Sequence, residues 1–208
     1  MRVLNLYAGI GGNRKLWTDV QVTAIEFNPS IAKFYKDHFP QDTVLIEDAH
    51  QYLLNHYSEF DFIWSSINCP SHSRARFWAS GNGHYKPIFP DMKLYEEILF
   101  LKHYFDGLWN VENVVPFYEP LITPSRIIGR HCFWSNFFIK RIQIKEADIN
   151  RGNIGEWSKL HGFDISGYKF TDSRRDKILR NCVNPELGLH ILNCALNKEN
   201  VTQKTIFD

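Results

Sequence analysis

Residues 3–12 read VLNLYAGIGG, a short apolar run that passes directly into a glycine-rich turn. The apolar run predicts a buried strand from Val3 to Tyr7, and the residues after the glycines predict a helix through Trp17. Glycines at such a junction let the backbone approach a ligand closely, and free N–H groups at a helix start favour an anionic group. The stretch therefore predicts a ligand-binding turn between a strand and a helix, although a glycine turn alone is most often only a turn.

The same alternation of strand and helix continues along the first half of the chain. Further strands are predicted at residues 22–27, 43–46, 60–65 and 108–111, and helices at 29–38, 49–57 and 92–104. Alternating elements favour an α/β fold, a doubly wound and mostly parallel sheet with helices on both faces. Such sheets bind nucleotide-like ligands at the carboxyl ends of their strands. Beyond residue 115 the pattern weakens to strands at 131–138 and 141–144 and a last helix at 185–196, capped by Asn184.

Composition limits the classes of protein to which this chain can belong. Its 208 residues, 44% of them hydrophobic, suffice for one substantial core, so we predict a single domain over residues 1–208. With 24 Lys and Arg against 23 Asp and Glu, no overall charge would attract a polyanion. Four cysteines without a CxxC pair predict neither a zinc site nor a disulfide framework, so no metal is expected. No apolar stretch reaches the ~20 residues of a membrane span and no signal peptide precedes the first strand, so we expect a cytoplasmic protein without a membrane partner.

Two carboxylates follow the next two strands of the predicted sheet. Glu26 ends the second strand, where a carboxylate can accept hydrogen bonds from both hydroxyls of a ribose. Asp48 ends the third strand, where a carboxylate can reach an adenine amino group. Each alone is more often a solvated carboxylate or a helix cap. Together with the glycine turn, and in this order, they predict an adenosine site across three successive strand ends.

One cysteine stands apart from the others by its position. Cys69 follows the fourth strand in SSINCPSHS, residues 65–73, a polar transition at the same rim of the sheet. The nearby Arg74 and Arg76 are expected to favour its thiolate. Glu112 follows the fifth strand, which predicts a nucleophile and an acid on adjacent strand ends. The remaining cysteines are predicted to be inert core residues: Cys132, Cys182 and Cys194.

These motifs, in this order, resemble those of the DNA (cytosine-5) methyltransferase family, from the first residues to about Leu196. Residues 7–12 resemble the first cofactor motif, and Glu112-Asn113-Val114 matches the family's Glu-Asn-Val without change. WSKLHGF, residues 157–163, is similar to a late motif that ends in Gly-Phe, and NCVNP, residues 181–185, matches the closing Asn-x-Val-x-Pro. Because these motifs stand in the family's order over nearly the whole chain, chance is a poor explanation.

The resemblance implies a class I, Rossmann-like methyltransferase fold, S-adenosylmethionine as the cofactor and double-stranded DNA as the partner. It implies a cofactor site formed by Tyr7, Ala8, Gly9, Ile10, Gly11, Gly12, Glu26, Phe27, Asp48, Ala49, Asn181 and Val183. The implied catalytic residues are Cys69, Glu112 and Arg130. The loop at residues 71–90 mixes cations with aromatics, and its implied DNA contacts are Ser71, Ser73, Arg74, Arg76 and Lys86. An ordinary surface loop would fit the same residues.

The family's reaction implies a role for each member of the catalytic pair. Cys69 would add to carbon 6 of a cytosine flipped out of the duplex, so that carbon 5 can take the methyl group. Glu112 would contact ring nitrogen 3 and share a proton there. Two alternatives stay open: an RNA cytosine methyltransferase, whose Cys-Phe-Thr signature is missing here, and a non-catalytic cofactor- or DNA-binding module of the same fold.

The sequence departs from the family's pattern at three points. Ile67 and Asn68 replace the usual Pro-Pro before the cysteine, which changes the stiffness of that loop. The arginine-rich motif is reduced to Arg130-His131. Residues 137–175 form a reduced region, too short for the family's target-recognition domain. We therefore expect a short recognition sequence or a loose context preference, or a separate specificity subunit that reads the DNA.

Overall fold

The computed structural model describes residues 1–83, 86, 88–144 and 152–197. Within these residues the strands are β1 Arg2–Leu6, β2 Gln21–Ile25, β3 Thr43–Leu45, β4 Phe62–Ser66, β5 Leu108–Val114, β6 Arg126–Ile128 and β7 His131–Ser135. The helices are α1 Pro29–His38, α2 Ala49–His56, α3 Arg74–Gly81, α4 Lys93–Tyr104, α5 Ile154–His161, α6 Arg175–Arg180 and α7 Pro185–Ala195. A 3₁₀ turn, Tyr57–Glu59, follows α2.

The seven strands form one sheet in the order β3-β2-β1-β4-β5-β7-β6. The first five strands run parallel to one another, whereas β7 is antiparallel to both β5 and β6. All five parallel strands therefore end at the same edge of the sheet, where Leu6 lies beside Ile25 and Ser65. This edge holds the residues that the sequence marked for function.

Hydrophobic residues cover both faces of the sheet. Side chains of β1 alternate between the two faces, so that Val3 packs in one hydrophobic cluster and Leu4 in the other. The cluster with Val3 includes residues of α1, α5, α6 and α7, and the cluster with Leu4 includes residues of α2 and α4. The predicted doubly wound α/β fold with helices on both faces is confirmed.

Two predicted helix starts are confirmed in detail. The side chain of Asn28 accepts hydrogen bonds from the backbone N–H groups of Ser30 and Ile31, and Pro29 opens α1. Asn184 does the same for two N–H groups at the start of α7, which Pro185 opens. Both helices begin as predicted because the cap and the proline that fix the chain are neighbours in sequence.

The helix predicted after the glycine turn is absent, and residues 12–16 form successive turns instead. The side chain of Arg14 donates to both carboxylate oxygens of Asp42, at 2.8 and 3.0 Å, and to the Trp17 carbonyl. A Cβ on Gly188 of α7 would lie 2.3 Å from the Asn13 carbonyl oxygen, so α7 packs directly on this backbone. These tertiary contacts hold the segment in turns, so the helix predicted through Trp17 is wrong.

Several other elements differ from the prediction. Residues 141–144 form no strand, the strand predicted at 131–138 ends at Ser135, and the short edge strand β6 was not predicted. The loop at residues 71–90 contains α3, which its mixed polar and aromatic pattern did not indicate. Residues 84, 85 and 87 of that loop, and residues 145–151 of the reduced region, lie outside the described residues. None of the helices in the described ranges is long and apolar enough to cross a lipid bilayer.

Candidate active site

The glycine-rich turn leaves β1 with a backbone that L-residues rarely adopt. Tyr7 and Gly9 both have φ of 55°, in the left-handed region that a bulky residue such as tyrosine seldom enters. A Cβ on Gly9 would have nothing within 4 Å, so the backbone there faces open space. A Cβ on Gly12 would lie 2.2 Å from the Val183 carbonyl oxygen. The turn is thus open at one glycine and pressed against the NCVNP segment at another, while Asn181 of that segment is exposed at the end of α6.

Glu26 lies directly against this turn. One of its carboxylate oxygens accepts from the Gly9 N–H at 2.9 Å and the other from the Asn28 N–H at 2.8 Å. Burial raises the pKa of Glu26, and the two backbone hydrogen bonds oppose that shift. Each oxygen keeps accepting capacity for a ligand hydroxyl. Phe27, 76% exposed, offers an aromatic surface beside the carboxylate.

Asp48 caps the next helix of the fold. Its carboxylate accepts from the Gln51 N–H at 3.0 Å at the start of α2, and this bond lowers its pKa. Asp48 is exposed, whereas the adjacent Ala49 is buried. Asp48 therefore caps α2, and its carboxylate also lies at the same edge of the sheet as Glu26.

A buried carboxylate that the sequence did not mark lies behind these groups. Glu97 of α4 is fully buried and accepts hydrogen bonds from the hydroxyl of Tyr7 at 2.7 Å and that of Ser65 at 2.7 Å. The ring Nδ1 of His50, in α2, lies 3.1 Å from the same carboxylate. The Glu97 side chain of α4 therefore joins the residue after β1, the start of α2 and the end of β4.

Cys69 lies just beyond β4 and is partly buried. The side-chain amide of Asn113 donates to the Ile67 carbonyl at 3.0 Å. This bond fixes the segment that leads from β4 to Cys69 against β5. Burial and, secondarily, the Glu112 carboxylate raise the pKa of Cys69 to about 11. The other three cysteines are buried as predicted.

The expectation that Arg74 and Arg76 favour the Cys69 thiolate is wrong. Arg74 is exposed, and its guanidinium donates to the Pro116 carbonyl at 2.9 Å. The cations that lower the pKa of Cys69 are Arg130 and, to a smaller extent, Lys177, and the effect of each is smaller than those of burial and Glu112. Although these arginines are close to Cys69 in sequence, their charges do not lie beside its thiol, because the segment after Cys69 forms α3 and packs on the loop that follows β5.

Glu112 is 6% exposed and has a histidine partner across the sheet. His131 on β7 places its Nδ1 2.5 Å from one Glu112 carboxylate oxygen. Arg130, next to it in the β6–β7 turn, donates to the Arg180 carbonyl at 2.7 Å. The reduced motif Arg130-His131 therefore contributes two side chains at the rim, and His131 was not predicted as one of them.

The loop after Cys69 presents cations and aromatic rings on one element. Phe77 of α3 stacks on Phe117 with ring centroids 4.2 Å apart and planes 7° apart, and Trp78 is 65% exposed. Ser71 accepts from the Asp91 N–H, which joins the two ends of the loop. Of the other predicted contacts, Ser73 precedes α3, Arg76 lies within α3 and Lys86 is exposed beyond it.

The late motif WSKLHGF forms α5 and its end. Gly162 has φ of 67° and ends the helix, and its carbonyl accepts from Lys15, whose ammonium also lies 3.8 Å from the centroid of the Phe163 ring. A narrow cleft lies between α5, α6, α7 and the β6–β7 turn, with His161 in its lining. Burial lowers the pKa of His161 to about 4, helped by the positive charge of Arg130. Among the described residues no group of three or more His, Cys, Asp or Glu side chains is arranged to hold a metal ion.

Comparison with known proteins gives structural likeness at low sequence identity. No protein-family model matches the chain, and no curated protein matches it by sequence. The structure of an Entamoeba histolytica methyltransferase, EhMeth, aligns over 95% of this chain and 98% of its own length, with a TM-score of 0.58 and 12% identity. A mutant of Spodoptera frugiperda DNMT2 aligns over 54% of this chain and 35% of its own, with a TM-score of 0.38 and 25% identity. The chain has the class I, Rossmann-like fold of the methyltransferases.

Proposed function

We propose that this protein transfers a methyl group from S-adenosylmethionine to carbon 5 of cytosine in DNA, as a single catalytic domain. The observation that carries the proposal is the placement of Cys69, three residues beyond β4, near Glu112 in β5, which lies beside Ser66, the last residue of β4. The Glu112 carboxylate is close enough to raise the pKa of the thiol. The motif resemblance and the methyltransferase fold support it. A nucleophile beside an acid at this rim is the arrangement that addition to a pyrimidine needs.

The strand ends of β1, β2 and β3 fit the adenosine part of the cofactor. Gly9 leaves open space over the turn, Glu26 has acceptor capacity for a ribose diol, and Phe27 has an exposed ring for the adenine. Asp48 would accept from the adenine amino group with the oxygen that is not used in capping. Val183, pressed against Gly12, would close the site from the NCVNP segment. Once bound, S-adenosylmethionine supplies a methyl group activated by its sulfonium.

Cys69 performs the first step, in which its sulfur forms a bond to carbon 6 of the cytosine. The thiol must first lose its proton, and a pKa of about 11 leaves little thiolate in the resting protein. A positive ligand beside the thiol would add to the effect of Arg130 and lower that pKa. The arrangement therefore restrains the nucleophile until the site is filled.

Glu112 acts at ring nitrogen 3 of the base. The electron pair displaced from the carbon 5–carbon 6 double bond moves toward this nitrogen, which takes a proton that Glu112 shares. His131 holds one oxygen of Glu112 and leaves the other to face the base. Carbon 5, now enamine-like, would take the methyl group, which leaves S-adenosylhomocysteine. Carbon 5 would then lose its proton to a water or loop group acting as base while the bond between Cys69 and carbon 6 breaks, and nitrogen 3 would return its proton to Glu112.

The target base must leave the duplex to reach Cys69, at a cost of a few kcal/mol. The exposed Arg74, Phe77 and Trp78 of α3 would contact the DNA beside it, with the cation on a phosphate and the rings near the vacated stack. Because the reduced region offers few side chains for base edges, the protein would read a short site or depend on a separate specificity subunit.

The proposal is tested with a DNA duplex that contains 5-fluorocytosine. Fluorine cannot leave as a proton does, so the protein and S-adenosylmethionine should form a covalent adduct that survives denaturing electrophoresis and maps to Cys69 by mass spectrometry. Cys69→Ala should form none, whereas Cys132→Ala, which changes a buried core cysteine, should form it like the unchanged protein. An adduct in Cys69→Ala contradicts the assignment, and methylation of transfer RNA but not of DNA contradicts the substrate.

A further inference from the structure

Glu97 is a buried acidic residue that the proposed reaction does not use. It has no exposed surface, yet it lies on the inner face of α4 and contacts three side chains from three different elements. Burying a carboxylate is costly unless hydrogen bonds replace its water. Each of the three partners can donate a hydrogen bond, so the site is built for a carboxylate rather than for a neutral apolar side chain.

One of the three hydrogen bonds reaches the most strained residue of the glycine-rich turn. Tyr7 has φ of 55°, a conformation that costs a bulky residue free energy and persists only where the surroundings enforce it. Its hydroxyl donates to Glu97 at 2.7 Å, and burial together with that carboxylate raises the pKa of Tyr7 far above its ordinary value. The tyrosine is therefore held as a neutral donor whose ring direction is fixed from α4.

The conformation of Tyr7 decides where the next two residues lie. Ala8 donates its N–H to the Ile25 carbonyl at 3.0 Å, and Gly9 donates its N–H to Glu26 at 2.9 Å. A rotation at Tyr7 would move both N–H groups and the Glu26 carboxylate with them. Glu97 thus connects, through Tyr7, to the carboxylate proposed to bind the ribose.

We propose that Glu97 is a positioning residue that holds the adenosine-binding turn in its ligand-accepting conformation through the Tyr7 hydroxyl. The inference rests on the proposed function only in taking an adenosine-containing ligand at this turn. Glu97 touches no ligand itself. Its bonds to Ser65 and His50 support the fold around it, and the bond to Tyr7 is the one that reaches the ligand.

The two bonds of 2.7 Å provide a matched pair of variants. Tyr7→Phe removes one hydroxyl from Glu97 on the side of the turn, and Ser65→Ala removes the other on the side of β4. Glu97→Gln keeps the shape and removes the charge, while Glu96→Gln makes the same change at an exposed neighbour that lies 3.8 Å from His50. Thermal unfolding measures the structural cost of each change, and calorimetry with S-adenosylhomocysteine measures affinity without any turnover.

Tyr7→Phe and Glu97→Gln should each weaken S-adenosylhomocysteine binding about tenfold or more, as expected for loss of a charge-assisted hydrogen bond. The double variant should be no weaker than either single one, because both changes act on the same charge-assisted hydrogen bond, one by removing its donor and the other by removing the charge of its acceptor. Ser65→Ala should lower the melting temperature about as much as Tyr7→Phe but leave the affinity for S-adenosylhomocysteine within about twofold of the unchanged protein. Glu96→Gln should also leave this affinity within about twofold. In steady state the KM for S-adenosylmethionine should rise in Tyr7→Phe while kcat changes little.

Equal affinity of Tyr7→Phe and the unchanged protein overturns the inference, and so does a loss in Ser65→Ala as large as that in Tyr7→Phe. If Glu97→Gln does not fold, the comparison of Tyr7→Phe with Ser65→Ala still decides. Failure of the unchanged protein to bind S-adenosylhomocysteine at all overturns both this inference and the proposed cofactor. The two failures are therefore distinguished by the unchanged protein alone.

Discussion

The rim of the sheet divides into two regions that are prepared to different degrees. The side proposed to bind adenosine, which we call the adenosine side, lies at the ends of β1, β2 and β3 and is fixed by backbone hydrogen bonds to Glu26 and by the hydrogen bonds of Glu97. The side proposed for the reaction, at the ends of β4 and β5 and the start of β7, holds Cys69 with a pKa raised to about 11 beside the Glu112–His131 pair. The hydrogen bonds that shape the adenosine side are already formed. The reaction side has its side chains in position, but the Cys69 thiol is still protonated.

This difference indicates an order of events. A site whose hydrogen bonds are already formed can bind a ligand with little ordering cost. A thiol that is buried beside a carboxylate stays protonated until a positive charge arrives. We therefore expect the adenosine side to fill first and the reaction side to become nucleophilic afterwards.

The largest effect is expected on the reaction side, where one change should act in opposite directions on two measurements. Glu112→Gln should lower methyl transfer by ~10²- to 10⁴-fold, because the proton shared with ring nitrogen 3 is lost. The same change should speed the alkylation of Cys69 by iodoacetamide at pH 8, since the carboxylate that raises the thiol pKa is gone. Mass spectrometry of the Cys69 peptide gives the alkylation rate, and the exposed Glu119→Gln serves as the control. Slower alkylation in Glu112→Gln would falsify the electrostatic account of the reaction side.

The next effect concerns acid stability near the reaction side. His161 has a pKa lowered to about 4, against an unfolded value of 6.5, so the unfolded chain binds a proton in that interval and the folded chain does not. Stability is therefore lost as pH falls from 6.5 to 4, by about 3 kcal/mol for this group alone. His161→Gln should show a shallower fall in the free energy of unfolding between pH 7 and 4, measured by urea titration. Parallel curves for the two proteins would assign the loss to other groups.

A smaller effect on stability is expected when Gly12, in the glycine-rich turn, is compared with Gly81, at the end of α3. Gly12→Ala places a Cβ 2.2 Å from the Val183 carbonyl, so the free energy of unfolding should fall by ~1–3 kcal/mol, as for other overpacked sites. S-adenosylhomocysteine affinity should fall with it. Gly81→Ala, at the end of α3 with nothing within 4 Å of the new carbon, should be neutral or slightly stabilising. Equal unfolding curves for the two variants would contradict the close contact between the turn and the NCVNP segment.

The smallest effect is a loss of stability as pH rises, opposite to that expected for His161, and it concerns His50 near the adenosine side. The hydrogen bond to Glu97 raises the pKa of His50. Its stabilising contribution is full below the unfolded pKa and disappears as pH rises through the raised folded pKa. His50→Asn should therefore lose less stability than the unchanged protein between pH 6 and pH 9, measured as the melting temperature. Stability that falls equally in both proteins would show that the bond between His50 and Glu97 does not depend on protonation.

Local sequence determined the parts of this fold that depend on neighbouring residues. Asn28 and Asn184 cap helices because the N–H groups that they accept from lie two and three residues away. The glycine-rich turn, the occurrence of the five parallel strands along the chain and the positions of Glu26 and Cys69 after strands follow from apolar periodicity and from breaks in it. The same reasoning failed for residues 12–16, where Asp42 and α7 replaced the helix with side-chain contacts.

Only the tertiary structure decided which charges meet. Glu97 bonds to Tyr7 across 90 positions of sequence and His131 bonds to Glu112 across 19, and no periodic pattern records either pairing. The cations that lower the pKa of Cys69 are Arg130 and Lys177, far along the chain, and not the arginines five and seven residues away. The protonation state of the thiol follows from burial and from the charges that the fold brings around it. Sequence thus determined which reactive groups reach the rim, and packing decided how each is held, because electrostatic and desolvation energies depend on distances in space.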